Sequence, residues 1–166
     1  MDLAKGMDQT MVKRDGKYLT FSLAKEEYGI FIVKIKEIIG MMPITTVPRT
    51  PLFIKGVVNL RGKVIPVVDL RLKFGMEEIP YTERTCIIVV EIAGPIGTVP
   101  MGIVVDSVSE VLNIQGSDIE ETPDFGAQLE TEYILGMAKI NGGVKILLDI
   151  DKVIGPEEVP VLDKVA

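Results

Sequence analysis

Histidine and tryptophan are missing from this chain, and cysteine occurs once, as Cys86. Without histidine the chain has lost the commonest general base near neutral pH, the commonest metal ligand and the base of Ser–His and Cys–His nucleophile pairs. A single cysteine excludes an intramolecular disulfide and fits a reducing cytoplasm. Cys86 stands in an apolar segment with Arg84 as its one basic neighbour, so it reads as a small buried hydrophobe. Aromatic residues are only 5% of the chain, too sparse for a base-stacking platform. Positive charge is also short: 18 Lys and Arg against 24 Asp and Glu leave a net charge of -6 and a pI near 4.8. That balance repels phosphate backbones and anionic lipid, so neither nucleic acid nor direct membrane contact is expected. No long apolar run exists. The most apolar stretch, 86–105, is broken by Glu91, Gly94, Pro95, Gly97, Pro100 and Gly102 and cannot be a spanning helix. No basic-then-apolar leader opens the chain. Residues 1–17 read as a loose N-terminal tail, and 156–166 as a C-terminal tail or short helix. The motifs GxSxG, GxxxxGK[ST] and GxGxxG do not occur. These absences point away from an enzyme and imply neither cofactor nor metal.

Apolar residues make up 47% and charged residues 25%, enough for one buried core without staples. The pattern is that of short strands. Over 18–23, Leu19, Phe21 and Leu23 alternate with Tyr18, Thr20 and Ser22; Lys25, Glu26 and Glu27 then form a polar turn, and 28–33 is a second strand. Ile32, Ile35, Ile38 and Ile39 fall at helical spacing, closed by Gly40. Pro43, Pro48 and Pro51 mark a surface loop. Strands at 56–60 and 64–68 flank a tight turn at Arg61, Gly62 and Lys63, and Pro66 marks the second as an edge or bulged strand. Asp69 caps a short helix that ends at Gly75.

The second half repeats this plan. GVVNLRGKVIPVVDLRLKFG from Gly56 aligns without gaps on GMAKINGGVKILLDIDKVIG from Gly136, and GIFIVKIKEII from Gly29 aligns on GIVVDSVSEVL from Gly102. Turn glycines (Gly62, Gly142), valines (Val64, Val144), aspartates (Asp69, Asp149) and glutamates (Glu37, Glu110) coincide, and 86–92 is the counterpart of 18–23. Such self-similarity predicts two copies of one five-stranded unit, the right number for a small closed barrel.

Two readings of Asp69 and Asp149 follow. A pseudo-symmetric carboxylate pair could do acid–base work in a two-barrel, aspartate-dependent hydrolase. Their position before a short helix closed by glycine favours N-caps. The acidic segment 118–132 lacks the Ca²⁺-loop spacing and reads as a solvated connector. Function then rests on surfaces, at least as a small-barrel peptide-binding module. Arg61 is not required by its turn, and arginine is enriched at binding hot spots. The isoleucine stripe suits a partner helix in a groove between barrels.

The segments YGI at 28–30, KEII at 36–39, FIKGVVNLRG at 53–62, PVVDLR at 66–71, GIVVD at 102–106 and TEYILG at 131–136 resemble the CheW family of bacterial chemotaxis coupling proteins, from about Tyr18 to the C-terminal region. The resemblance implies an all-β fold with a few short helices: two intertwined five-stranded SH3-like barrels packed side by side. One domain would span 18–155, with subdomains at roughly 18–84 and 85–155 and some strand exchange. It implies a non-enzymatic cytoplasmic adaptor, monomeric when free, that couples the helical tip of a chemoreceptor to the regulatory domain of a histidine kinase in receptor arrays. Carried over by position, Ile32, Ile35, Glu37, Ile38, Gly56 and Arg61 would meet the receptor, and Glu120 and Phe125 the kinase. This chain departs from the family in carrying Glu120 where a basic residue is common.

Overall fold

The structure, a computed structural model, describes residues 15–94, 96–123 and 132–154. Strands dominate: β1 (Gly16–Leu23), β2 (Glu26–Phe31), β3 (Ile35–Gly40), β4 (Ile54–Leu60), β5 (Lys63–Asp69), β6 (Cys86–Ala93), β7 (Thr98–Val105), β8 (Ser107–Ile114), β9 (Ile119–Glu120), β10 (Ile134–Ile140) and β11 (Gly143–Leu148). Two short helices, α1 (Leu70–Lys73) and α2 (Ile150–Val153), follow β5 and β11.

The duplication is visible in the topology. One sheet has the order β3-β6-β7-β5-β4, the other β8-β1-β2-β11-β10 with β9 added at the end. Under the sequence alignment these orders are the same, and each contains one parallel pair, β5 with β7 and β11 with β2. Leaving β9 aside, each sheet takes two strands from one half of the chain and three from the other. The chain crosses from the second sheet to the first through a 3-10 turn at Ile32–Lys34, and back at Asp106.

Each sheet then closes. Beyond β3 the chain reaches across to β4, where Thr45 N donates to Val57 O at 2.8 Å and Val57 N donates to Thr45 O at 2.9 Å. Beyond β8, β9 does the same to β10, pairing Glu120 with Met137. Ile119 and Glu120 are therefore a closing strand and Ile119 is buried, a correction to the solvated connector expected there.

Three apolar cores result. Val58, Ile65, Val67, Ile87, Val89 and Val104 fill one barrel, and Tyr18, Ile114, Ile119, Ala138 and Leu147 fill the other. A larger core between the sheets draws Leu19, Phe21 and Leu23 from one and Ile88, Val90 and Ile103 from the other. β1 is thus buried on both faces. Tyr18 and Thr20, on the face opposite Leu19, Phe21 and Leu23, are fully buried, and Thr20 Oγ1 bridges Glu110 by donating to its carbonyl at 2.8 Å and accepting from its N–H at 3.1 Å. The hydroxyl replaces a ladder bond where β8 bulges against β1.

Local chemistry matches the hairpins with two adjustments. The first turn is Ala24–Lys25, one residue earlier than its polar composition suggests, and both residues have positive φ, 51° and 72°. β5 is an interior strand. Its irregularity lies in its partner, between Ile54 and Gly56, and Pro66 stands one residue before the pairing with β7 begins. β1 starts at Gly16, inside the expected tail. Residues 156–166 lie outside the described residues.

Candidate partner-binding surface

The isoleucine stripe is not a helix. Ile32 lies in the 3-10 turn and Ile35, Ile38 and Ile39 in β3. In a regular strand, residues three apart face opposite ways. Here Ile35 pairs with Val90 and Glu37 with Val89, so Lys36 is an extra, bulged residue. The bulge returns Ile38 to the face of Ile35, and its partner Ile88 belongs to the core between the sheets. A bulged strand therefore mimics helical spacing over Ile35 and Ile38, while Ile39 turns into the barrel interior. Ile32 and Ile35 pack on the inter-sheet core, and Ile38 is 43% exposed at its edge.

Glu37 faces the other way, toward the mouth of the first barrel. Its Oε2 accepts from Arg61 Nη2 at 2.6 Å. Arg61 is the first residue of the two-residue turn between β4 and β5, with φ of 52°, followed by Gly62 at 88°. Such a turn needs positive φ twice and favours Asn-Gly. The equivalent turn is Asn141–Gly142, with φ of 51° and 79°. Arginine in the left-handed region carries strain that asparagine largely escapes, so Arg61 stands against the local preference of its backbone. With Lys36, Leu60 and Lys63, the pair lines a cleft of about 200 Å³.

Gly56 belongs to neither face. Its φ is 143°, and a Cβ built on it would lie 2.0 Å from the carbonyl oxygen of Thr45. It lets the loop close on β4. The structure thus brings Glu37 and Arg61 together, sets Ile32, Ile35 and Ile38 on the opposite face of the same segment, and places Gly56 at the barrel seam.

The domain model for "CheW-like domain" matches residues 17–158. The chain is 43% identical to the chemotaxis protein CheW of Klebsiella aerogenes over 150 residues, covering 90% of this chain and 88% of that one. This chain belongs to the CheW-like family. CheW of Rhizobium meliloti is 34% identical over 140 residues, covering 84% and 88%. The crystal structure of the scaffolding protein TtCheW from Thermoanaerobacter tengcongensis superposes with a TM-score of 0.75 at 36% identity, covering 85% of this chain and 93% of that one. Like its family, this CheW-like chain is a non-enzymatic coupling scaffold of chemotaxis.

The aspartates fit that role. Asp69 Oδ1 accepts from Arg71 N at 3.0 Å and Leu72 N at 3.3 Å, and Oδ2 accepts from the Tyr81 hydroxyl at 3.0 Å. Asp149 Oδ1 accepts from Asp151 N at 3.2 Å. Both are N-caps, and they follow strands of different sheets. Among the described residues no group of acidic or cysteine side chains is arranged to hold a metal ion. Glu120 is exposed on β9 and pairs with Lys139 at 2.8 Å; Phe125 lies outside the described residues.

Two features escaped the sequence reading. Val108 and Val111 in β8 occupy the positions of Ile35 and Ile38, a match already contained in the alignment of Glu37 on Glu110. Two ion pairs, Arg71–Asp106 and Lys34–Asp151, join residues far apart in sequence and left no local signal.

The Arg61 hydrogen bond holds the Glu37 carboxyl below the ordinary 4.5 of a glutamate, and the same bond raises Arg61. A depressed folded-state value means the pair contributes above the ordinary glutamate range and is lost as pH falls through the lower folded value. An NMR titration should find Glu37 ionising below 4.5 in the native chain and moving back toward 4.5 in Arg61→Ala. Identical titrations in both chains would mean the contact is not kept in solution.

Proposed function

We propose that this chain couples the helical signalling tip of a chemoreceptor to the regulatory domain of the chemotaxis histidine kinase, in the cytoplasm, within receptor arrays. The receptor meets Ile32, Ile35 and Ile38 at the edge of the seam between barrels and Glu37 with Arg61 at the barrel mouth, with Gly56 keeping that mouth in shape. The kinase meets the second barrel around Glu120 and Phe125. The free chain is a monomer. There is no chemical step: the receptor shifts the population of packed states of adaptor and kinase, and activity follows.

The observation that carries this reading is Arg61, held by Glu37 in the left-handed conformation that its turn requires and an arginine disfavours, while the duplicate turn carries Asn141. A strained arginine with most of its side chain in water does little for the fold; as a fixed donor for a partner it has a use. No helix among the described residues is long and apolar enough to cross a membrane, in keeping with contact through partners.

The test is a pull-down with a receptor tip and a kinase regulatory domain, separately and together, followed by kinase stimulation. Arg61→Asn should remove receptor coupling and slightly raise Tm, because asparagine suits the turn. Arg61→Ala should remove coupling without raising Tm. Unaltered receptor binding in both variants would take Arg61 out of the site, and stimulation indifferent to the native chain would end the coupling reading.

A further inference from the structure

Each place where the chain crosses between sheets is held by an ion pair from a helix of the other half. At Asp106, between β7 and β8, Arg71 of α1 donates through Nε and Nη2 at 2.7 Å each, and Asp106 Oδ2 also accepts from Ala24 N at 2.9 Å in the β1–β2 turn. At the other crossing, Lys34 Nζ donates to Asp151 Oδ2 of α2 at 2.8 Å, and Asp151 Oδ1 accepts from Ala93 N at 2.8 Å at the end of β6. Arg71 and Asp151 are counterparts under the alignment with the charges exchanged, while Lys34 stands one position beyond the counterpart of Asp106. The crossing residue is the acid in one and the base in the other, yet each time an aspartate also receives an N–H from the end of a β-hairpin. Different residues meet the same geometric need, which marks the clamp itself as the element the fold requires.

The two clamps differ in strength. Arg71 and Asp106 form a two-bond fork with side chains 14% and 24% exposed. Lys34 and Asp151 make one contact, with side chains 29% and 34% exposed. Water screens the second pair more, so it is the softer of the two. The softer clamp sits on the 3-10 turn Ile32–Lys34, which carries Ile32 and leads directly into Ile35 and Ile38. That turn is short, contains no fully buried residue and has no side-chain cap, so apart from Ile32 packing on the inter-sheet core the clamp is its main tether.

We propose that Asp151 is a positioning residue for the receptor-binding stripe: by holding Lys34 and the Ala93 N–H together it sets the angle at which the Ile32–Lys34 crossing presents Ile32, Ile35 and Ile38. This rests on the coupling reading above and adds to it a residue from the opposite end of the chain that touches no partner. The clamp orders the stripe before binding, so its loss appears as a cost of ordering in the bound state.

The test uses the full chain and a purified receptor cytoplasmic helical hairpin, with affinity measured by calorimetry. Asp151→Ala should weaken binding by about fivefold, the scale of one partly exposed ion pair with a supporting hydrogen bond. Lys34→Ala should weaken it less, and Lys34→Arg should keep it. Val153→Ala opens a cavity in the same helix with the clamp intact; it should lower Tm more than Asp151→Ala and leave affinity within about twofold. In heteronuclear NMR spectra, Asp151→Ala should displace the amides of residues 32–38 and of Ala93. A wild-type chain that binds the hairpin, with Asp151→Ala binding equally well, sinks this inference alone. Affinity losses that simply track Tm across all four variants also overturn it, since they show a stability effect. A wild-type chain that does not bind the hairpin sinks the coupling reading, and this inference with it.

Discussion

Replacing Gly56 with alanine should destabilise the fold by about 3 kcal/mol or more, the range of a steric conflict that the backbone must move to relieve. The added Cβ would sit 2.0 Å from the Thr45 carbonyl oxygen and 2.7 Å from its carbon, and both are main-chain atoms that cannot rotate away. Relief means giving up the two hydrogen bonds between Thr45 and Val57 that close the first barrel. Gly62→Ala is the informative comparison. Gly62 also has positive φ, 88°, but a Cβ there meets nothing within 4 Å. Only backbone strain is added, about 1 kcal/mol. Urea denaturation of the two variants separates close approach from strain. If they lose equal stability, the Thr45 bridge is not what Gly56 serves. Loss of partner binding in a Gly56 variant would then be read through the seam it opens, since Gly56 presents no side chain to a partner.

Asp69 is the second position where a large loss is expected. It is 3% exposed, and its carboxylate receives two backbone N–H groups and the Tyr81 hydroxyl. Alanine would uncap α1 and leave those donors to find other partners, a cost of about 2–3 kcal/mol. Asparagine keeps one acceptor oxygen, caps nearly as well, and should cost about 1 kcal/mol. The ordering Ala worse than Asn, read by thermal or urea denaturation, identifies a cap. Equal losses would mean that the charge, rather than the acceptor geometry, holds the helix. Tyr81 adds a dependence at high pH. Burial, then the nearby Asp69, raise its hydroxyl above the ordinary 10.0, so the folded chain keeps a proton that the unfolded chain releases. The stability this contributes is present below pH 10 and is lost as pH climbs toward the folded value.

The parts legible in the sequence were those whose cause is local. Asn-Gly and Arg-Gly turns, the aspartate caps and the glycine after α1 are fixed by residues within a few positions, and the duplication placed them in register. Where a residue's neighbours come from the other half of the chain, the reading failed. The stripe from Ile32 to Ile39 looked helical because a bulge, produced by pairing with β6, shifts the strand's alternation by one. Alternation in β1 separates Tyr18 and Thr20 from Leu19, Phe21 and Leu23 without showing that both faces are buried; the barrel that covers Tyr18 and Thr20 is built from strands as distant as β11. The turn at Ala24–Lys25 holds no glycine or asparagine. Its positive φ values coincide with the hydrogen bond from Ala24 N to Asp106, 82 residues away in sequence. At the candidate surface, Glu37 and Arg61 were each recognisable as residue types. Their contact and their opposition to Ile38 depend on that same bulge.

The exchange of strands also sets a timetable for synthesis. When β1 and β2 leave the ribosome, their neighbours β8 and β11 do not yet exist, and the parallel partner of β2 arrives only with residues 146–148. The sheet that begins later finishes sooner, since β7, the last of its strands to emerge, ends at Val105. The earliest hairpin must therefore wait through most of translation with apolar residues on both faces and no cover, the stage at which a nascent chain is most open to chaperones or to pairing with another copy.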